Sequence, residues 1–392
     1  MLRSLIICPD KELSVNLERS IAEIGNVGLT RPMDKYPTNM ELTRFVRAHA
    51  PQVVFLSIES MSQALAIVAT LEANTPGVQV VAIHSSCEQS VLLETMRSGI
   101  REFVASPFEQ KALLECLCRV TEILEKKPVS VESTDLLYSF LPSKAGVGTS
   151  TLALNAAVAA SKIDSTATFL ADFDLSSGMI RFMLKLENSF SVIDAAQRCA
   201  EIDDQLWPQL VTKLGSLDVI HAGRLNPDVR LEAIQMREVL GFVRRNYKVI
   251  CADLSGNFER YSIEIMHESK KIFLVCTPEI SSLHLAREKY QYLQRLELGD
   301  RVAILVNRWQ KRPVISAEQI EELLGLPVHM TFPNDYFGVY KALGAGQPID
   351  ATSDLGKQCA AFARTLVGKK ASKAAEPKRR FAEYFSLSQA KV

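Results

Sequence analysis

Short apolar runs alternate with amphipathic segments along the first third of the chain. Runs typical of buried strands occupy residues 2–8, 53–58 and 78–83, and helix-like segments lie at 13–24, 41–48, 62–72, 91–97 and 110–124. Alternating β and α segments are typical of a doubly wound parallel sheet with helices on both faces. The pattern therefore predicts a first α/β domain over residues 1–127.

The pattern is interrupted near residue 125 and then resumes. Residues 125–135 are charged and polar, contain Pro128 and show no apolar period, which indicates a linker that we place at 128–135. Beyond it, strand-like runs lie at 136–141, 167–171, 247–253, 271–277 and 302–306, with an Ala- and Leu-rich helix pattern at 151–160. We predict a second doubly wound parallel-sheet domain over residues 136–368.

The composition narrows the class of protein. With 47% hydrophobic and 23% charged residues the chain is typical of a globular protein, and 45 basic against 45 acidic residues give no net charge. A neutral chain does not favour general coating of nucleic acid. Eight scattered cysteines without zinc-type spacing indicate free thiols in a reducing cytosol. The sequence has no signal-peptide pattern and no membrane-spanning run, so we expect a cytoplasmic protein.

The candidate chemistry lies between the first strand and the first helix of the second domain. Residues 143–151 read Ser-Lys-Ala-Gly-Val-Gly-Thr-Ser-Thr. A strand, a glycine-containing turn and a helix N-terminus form a phosphate-binding arrangement, because backbone N–H groups and the positive helix end converge on an anion. A P-loop carries lysine directly before the hydroxyl residue that binds Mg²⁺; Ser150 occupies the hydroxyl position, but Thr149 precedes it.

This stretch resembles the deviant P-loop of the MinD/ParA ATPases, K-G-G-x-G-K-[ST]. Lys144 matches the early lysine, Ala145 replaces one glycine and Thr149 replaces the second lysine. The resemblance implies ATP and Mg²⁺ as cofactors, and a catalytic Lys144 that crosses a dimer to the partner's phosphates. It also implies that the residues following Lys144 contact ATP, namely Ala145, Gly146, Val147, Gly148, Thr149, Ser150 and Thr151.

Three aspartates end two later strands in the order of the MinD/ParA pattern. Asp172 and Asp174 form a D-x-D after the run 167–171, and Asp253 ends a run that resembles a Walker B strand. The resemblance implies that Ser150, Asp172 and Asp253 serve Mg²⁺, and that Asp174 orients the attacking water. The alternative for Asp172 and Asp174 is that they only cap turns, as aspartates at strand ends often do.

The remaining family positions concern the base. Asn307 ends the run 302–306, and by the resemblance it would contact adenine; a turn-forming asparagine is the alternative. The segment 326–335, followed by 342–348, resembles the family's closing segment. There the strand end at Pro333 would flank the purine, and a helix would follow.

The first domain resembles a response-regulator receiver domain, through residues 50–57 and through 96–104 followed by 106–108. Ser57 stands where the phospho-acceptor carboxylate would be, Ser106 replaces the lysine, and only Asp10 remains of the acidic pair. Phosphotransfer needs a carboxylate nucleophile and cationic stabilisation of the phosphoryl group. We therefore predict a flavodoxin-like pseudo-receiver that serves dimerisation or docking. An unrelated flavodoxin-like domain would give the same fold.

A pseudo-receiver followed by a MinD/ParA-like domain without the second P-loop lysine resembles the CpaE/TadZ family. This resemblance implies an ATP-binding homodimer, with slow or no hydrolysis, that localises or assembles a Flp/Tad type IV pilus machine. Its implied partners are pilus and secretion proteins, without direct nucleic-acid binding, and its membrane association is peripheral or through partners. The expected address is the cytoplasm, at the cytoplasmic face of the inner membrane or the cell pole.

Two alternative functions and one segment complete the sequence-based picture. The alternatives are an active MinD/ParA-type ATPase that positions a division site, flagella or DNA, and a nucleotide-free scaffold. Residues 369–392 are rich in Lys and Arg, and we expect a disordered basic tail there.

Overall fold

The computed structural model describes residues 2–25, 27–29, 32–97, 99–126, 133–226 and 228–368. The predicted tail over 369–392, and residues 128–132 of the predicted linker, lie outside the described residues. None of the described helices is long and apolar enough to cross a membrane.

The first described sheet has five parallel strands in the order β2-β1-β3-β4-β5. This is the flavodoxin-like order of doubly wound folds. The strands are β1 Leu2–Ile7, β2 Val27–Leu29, β3 Val53–Ser57, β4 Gln79–His84 and β5 Glu102–Ala105. The helices are α1 Lys11–Ile24, α2 Asn39–His49, α3 Met61–Asn74, α4 Gln89–Arg97 and α5 Gln110–Lys126.

The second described sheet has eight strands in the order β13-β12-β11-β6-β10-β7-β9-β8, and its β8–β9 pair is antiparallel while the other pairs are parallel. The strands are β6 Leu137–Pro142, β7 Thr168–Asp172, β8 Thr212–Leu214, β9 Leu217–Ile220, β10 Val249–Asp253, β11 Lys271–Cys276, β12 Val302–Trp309 and β13 Val328–Pro333. The helices are α6 Thr149–Ser161, α7 Ile180–Met183, α8 Val192–Gln197, α9 Trp207–Leu210, α10 Ala233–Asn246, α11 Arg260–Glu268, α12 Ile280–Arg295, α13 Ala317–Leu324, α14 Tyr336–Ala345 and α15 Asp354–Leu366.

Helices cover both faces of the second sheet. One core contains side chains from α10, α11, α12 and α13, and the other contains side chains from α6 and α15. All residues of β7 and β10 are buried, as expected for central strands of a parallel sheet that is covered on both faces. The ends of these rigid strands therefore fix the positions of the polar residues that follow them.

The two sheets belong to units that meet where α2 packs against α10. His49, the last residue of α2, is buried at this contact. Burial lowers the pKa of His49 to about 4, and the positive charge of Arg245 on α10 adds to this effect. A neutral imidazole is therefore part of the interface.

The predicted α/β fold with parallel sheets is confirmed. The strand predicted at 78–83 lies at Gln79–His84, and the helix predicted from residue 151 begins two residues earlier, at Thr149. The receiver identity of the first unit and the domain boundaries stay predictions.

Candidate nucleotide-binding site

The turn of residues 143–148 joins β6 to α6 at the carboxyl edge of the second sheet. Gly146 and Gly148 have φ angles of 80° and 90°, which favour glycine. A Cβ atom on Gly148 would lie 2.3 Å from Nδ2 of Asn307, so a side chain there would displace Asn307. α6 begins at Thr149 without a side-chain cap, and its first N–H groups therefore face the turn as potential anion donors.

Two aspartates predicted to serve the metal lie side by side at the ends of β7 and β10, where Asp172 and Asp253 are paired in register. Both are buried, with exposed fractions of 0% and 1%. Asp172 accepts hydrogen bonds from the backbone N–H groups of Ile180 at 3.0 Å and Asp174 at 3.2 Å. In contrast, Oδ2 of Asp253 is buried without a hydrogen-bond partner.

Burial also controls the ionisation of this pair. It raises the pKa of Asp172 to about 7, although backbone hydrogen bonds to the carboxylate, from Ile180 first, lower it. Burial likewise raises the pKa of Asp253 well above its usual range, and the neighbouring Asp172 adds to this rise. The hydrogen bond between Asp253 and Ser150 opposes it. Two buried carboxylates this close together repel each other, so a nearby cation would stabilise the state in which both are ionised.

These residues fit Mg²⁺. The unpartnered oxygen of Asp253, the hydroxyl of Ser150 and the carboxylate of Asp172 are hard oxygen ligands of the kind that Mg²⁺ prefers. Within the described residues no cluster of three or more His, Cys, Asp or Glu side chains could hold a metal ion by itself. Two carboxylates and one hydroxyl suit a metal that also takes ligands from water and phosphate, as Mg²⁺ usually does.

The carboxylate of Asp174 is engaged in its own turn. Its Oδ1 accepts hydrogen bonds from the backbone N–H of Ser176 at 3.1 Å and of Ser177 at 2.8 Å, and from the Ser176 hydroxyl at 2.7 Å. Its Oδ2 accepts a hydrogen bond from the Ser177 hydroxyl at 2.7 Å. This is the turn-capping arrangement that the sequence left open as an alternative, and the role in orienting water stays a prediction.

The early lysine of the turn is held within its own chain. Nζ of Lys144 lies 2.7 Å from Oε2 of Glu279 and donates to the Ser281 hydroxyl at 3.2 Å. The hydrogen bond from Lys144 lowers the pKa of Glu279. At the other end of the turn Thr149 is only 6% exposed, and its hydroxyl oxygen is buried without a partner. The side chain at the usual lysine position thus brings no charge and makes no hydrogen bond.

A cavity of about 230 Å³ adjoins the turn at the ends of β12 and β13. Its lining includes the predicted residues Gly148, Thr151, Asn307 and Pro333. Nδ2 of Asn307 donates to the Val147 carbonyl at 2.8 Å, which joins the cavity wall to the phosphate-binding turn. The structure thus brings the predicted base-contact residues together beside the predicted phosphate-contact residues.

Sequence reasoning missed further residues of this site. Arg308, at a positive φ of 54°, donates to the Gly146 carbonyl at 2.7 Å, and Tyr336 and Tyr340 of α14 line the cavity. Glu279, the partner of Lys144, follows β11. The available signal was the position of Arg308 near the carboxyl end of β12, and of Glu279 and Tyr336 just after β11 and β13, because these strand ends meet at the site edge.

The corresponding positions of the first unit have structural roles. Ser57 ends β3 with no exposed surface, and its carbonyl accepts a hydrogen bond from the Tyr36 hydroxyl at 3.0 Å. Asp10 caps α1 by accepting from the N–H groups of Glu12 at 2.8 Å and Leu13 at 3.2 Å. The only acid left of the predicted acidic pair is therefore used as a helix cap.

Comparisons with known proteins place the second unit among P-loop ATPase folds. No protein-family model matches the chain. A putative septum site-determining protein MinD of Mesostigma viride is 26% identical over 269 residues, covering 64% of this chain and 90% of that protein. An uncharacterised ATP-binding protein of Methanocaldococcus jannaschii is 26% identical over 211 residues, covering 53% of this chain and 76% of that protein.

Solved structures agree on the fold. A ParA family ATPase from Chlorobium tepidum superposes with a TM-score of 0.55 at 22% identity, covering 58% of this chain and 98% of that one. MinD of Pyrococcus horikoshii, complexed with Mg-ADP, superposes with a TM-score of 0.50 at 17% identity, covering 59% of this chain and 95% of that one. The chain therefore contains a domain with the fold of the MinD/ParA-like P-loop ATPases. The relatives that it matches in sequence include MinD proteins, which supports the same family.

Proposed function

We propose that this protein is an ATP- and Mg²⁺-binding, dimer-forming switch of the MinD/ParA type that hydrolyses ATP slowly or not at all. The observation that carries the proposal is the pairing of a phosphate-binding turn with two buried acids, while Thr149 occupies the usual lysine position. The acids and Ser150 would hold Mg²⁺. The ion would supply positive charge against the phosphates when bound.

Different residues of the chain would contact the phosphates and the base of the nucleotide. The N–H groups at the start of α6 would receive the phosphates, and Asn307 and Pro333 would border the base. Lys144 would leave Glu279 and reach the phosphates of a second subunit. The Lys144–Glu279 pair is partly exposed, at 32% and 51% of the two side chains, and such pairs are worth about 0–1 kcal/mol. Releasing the lysine would therefore cost little.

The biological role in this proposal is the localisation and assembly of a Flp/Tad type IV pilus machine, acting in the cytoplasm at the inner membrane or cell pole. What supports it is the arrangement of a flavodoxin-like unit, with Ser57 at the phospho-acceptor position, before the ATPase fold. The first unit would act as a pseudo-receiver that docks or dimerises.

A second candidate is an active ATPase that positions a division site or DNA. It is favoured by the names of the relatives, which include putative septum site-determining proteins and a ParA family ATPase. A nucleotide-free scaffold is the third candidate. ATP retained by the purified chain, measured with and without Mg²⁺, separates the scaffold from the other two. The turnover rate separates the slow switch from the active ATPase.

The dimer switch is tested with the full chain. Sedimentation with ATP and Mg²⁺ should show a heavier species than without nucleotide, and Lys144→Ala should abolish this shift. Lys162→Ala is the matched control, because Lys162 is an exposed lysine at the end of α6. If Lys144→Ala assembles with ATP as well as the parent does, Lys144 is not the switch.

A further inference from the structure

A lysine outside every recognised motif joins the two loops that border the proposed phosphate site. Lys289 lies on α12, and its Nζ donates to the carbonyl of Pro142 at 2.8 Å and to the carbonyl of Gly256 at 2.9 Å. Pro142 is the last residue of β6 before the phosphate-binding turn, and Gly256 lies three residues after Asp253. One ammonium group thus bridges the strand that enters the turn and the segment 254–259, which we call the post-β10 loop.

A second contact on the same helix holds the post-β10 loop. The ammonium of Lys289 lies 5.6 Å from the centroid of the Phe258 ring, a distance suited to a cation–π interaction. Phe258 has a positive φ of 54° and meets the ring of Tyr292 edge-on, with centroids 4.8 Å apart. Tyr292 is three residues after Lys289, so both side chains lie on the same face of α12 and both contact the post-β10 loop.

The charge of Lys289 is costly to keep in this place. Burial lowers the pKa of Lys289 to about 8, and the negative charge of Glu259 opposes this shift. A partly buried ammonium is tolerated when it is paired or hydrogen-bonded, and here it contacts two carbonyls and an aromatic face. The absence of a side chain at Gly256 leaves room for the ammonium, since a Cβ atom there would lie 2.6 Å from Nζ of Lys289.

The loop that Lys289 holds is connected to both metal-side aspartates. It begins directly after Asp253, and the carbonyl of Asp253 accepts a hydrogen bond from the N–H of Phe173, inside the D-x-D. Tyr261, just beyond the loop, donates its hydroxyl to the Phe173 carbonyl at 3.0 Å. A shift of the post-β10 loop would therefore move groups on both sides of the proposed Mg²⁺ site.

We propose that Lys289 is a positioning residue that clamps the post-β10 loop against the entry of the phosphate-binding turn and holds the site in its nucleotide-accepting shape. This role rests on the proposed nucleotide site, but the clamp itself is measurable without nucleotide. The test uses the full chain with Lys289→Met, which keeps the length and removes the donors. The control is Arg287→Met, an exposed cation of the same helix.

Hydrogen exchange without nucleotide is the first readout. Hydrogen bonds to charged groups are among the stronger ones, so Lys289→Met should speed amide exchange in residues 254–259 by about tenfold. Exchange in β10 should stay unchanged in both variants, and the loop should stay unchanged in Arg287→Met. Equal protection of the loop in the parent and Lys289→Met would overturn the clamp.

A pH profile of the parent separates a charge-dependent clamp from simple packing. The charged group that shifts the pKa of Lys289 is Glu259 of the post-β10 loop. The contact from β6 is the Pro142 carbonyl, which carries no net charge. Corrected for intrinsic exchange, protection of the loop should fall as the pH rises from 7 to 9, when the ammonium loses its proton. Lys289→Met should show no such fall. A flat profile in the parent would overturn the role of the charge.

ATP affinity is the last readout. It should fall about tenfold in Lys289→Met and stay at the parent value in Arg287→Met. Parental affinity in Lys289→Met, together with a loosened loop, would overturn the positioning role. If the parent itself binds no ATP, the proposed function fails, and the exchange data still decide whether the clamp exists.

Discussion

Thr149→Lys is the substitution that most directly tests why this site should hydrolyse ATP slowly. Thr149 is the first residue of α6, in the position where P-loops carry the lysine that reaches the β- and γ-phosphates. Its side chain is 6% exposed, and its hydroxyl has no hydrogen-bond partner. No existing hydrogen bond of that hydroxyl is therefore lost when the side chain is exchanged, and the substitution adds one positive charge.

The expected gain follows from the kind of interaction that is restored. Phosphoryl transfer depends on positioning and on stabilising the charge that develops in the transition state. Removing one such stabilising donor from an enzyme costs on the order of 10²–10³ in rate. We therefore expect Thr149→Lys to raise the rate of Mg²⁺-dependent hydrolysis by about 10²-fold or more, from a parent turnover well below the usual range of roughly 1–10³ per second.

Single-turnover phosphate release, with limiting ATP fully bound by excess protein, is the suitable assay because it excludes differences in nucleotide affinity. Thr149→Met is the matched control: it has about the length of lysine without the charge. Equal acceleration by methionine would show that side-chain volume, not charge, limits the reaction. A parent turnover already typical of P-loop ATPases would refute the reasoning outright.

Three further outcomes test other parts of the structure. Acetyl phosphate should label no carboxylate in residues 1–127, because Ser57 is a fully buried serine; a labelled peptide in mass spectrometry would contradict this. Tyr247→Phe should lower the free energy of unfolding by about 1–3 kcal/mol in urea titrations, since the buried Trp207 Nε1–H and Asp218 Oδ2 both lose the Tyr247 hydroxyl; a loss below about 0.5 kcal/mol would refute it. His49 has a pKa of about 4 in the folded chain, so the unfolded chain takes up this proton first as the pH falls. Stability should then drop by up to about 3 kcal/mol between roughly pH 6.5 and 4, and His49→Leu should remove that part of the drop.

The elements that the sequence predicted are those with a strong local signal. Central strands such as β6 and β10 are continuous apolar runs because both faces of the sheet are covered, and they were found within a residue or two. The three-residue strands β2 and β8 lacked enough positions to show a period and were missed. The four-residue helices α7 and α9 were missed for the same reason.

The same distinction between a strong and a weak local signal applies to the residues of the candidate site. Residues of the turn and of the strand ends carry local motifs, so Ser150, Asp172 and Asp253 could be proposed from the sequence. The partner of Lys144 could not, because Glu279 lies 135 positions along the chain and meets it only through the strand order β11-β6. Lys289 has no motif at all, and its contacts exist only because α12 returns beside the turn.

The positive charges around the turn bear on the proposed separation of ATP binding from turnover. Arg308 donates to the carbonyl of Gly146, Lys289 to that of Pro142, and Lys144 pairs with Glu279 beside the turn. Arg308 and Lys289 therefore bring positive charge near the proposed phosphate site, which favours an anion there, while Glu279 balances the charge of Lys144. None of them occupies the position of Thr149 at the start of α6. Binding needs the summed field, whereas the chemical step needs a donor placed within hydrogen-bond distance of the reacting oxygens. In the proposed function, a site with cations nearby but without that donor would hold ATP as a signal for assembly.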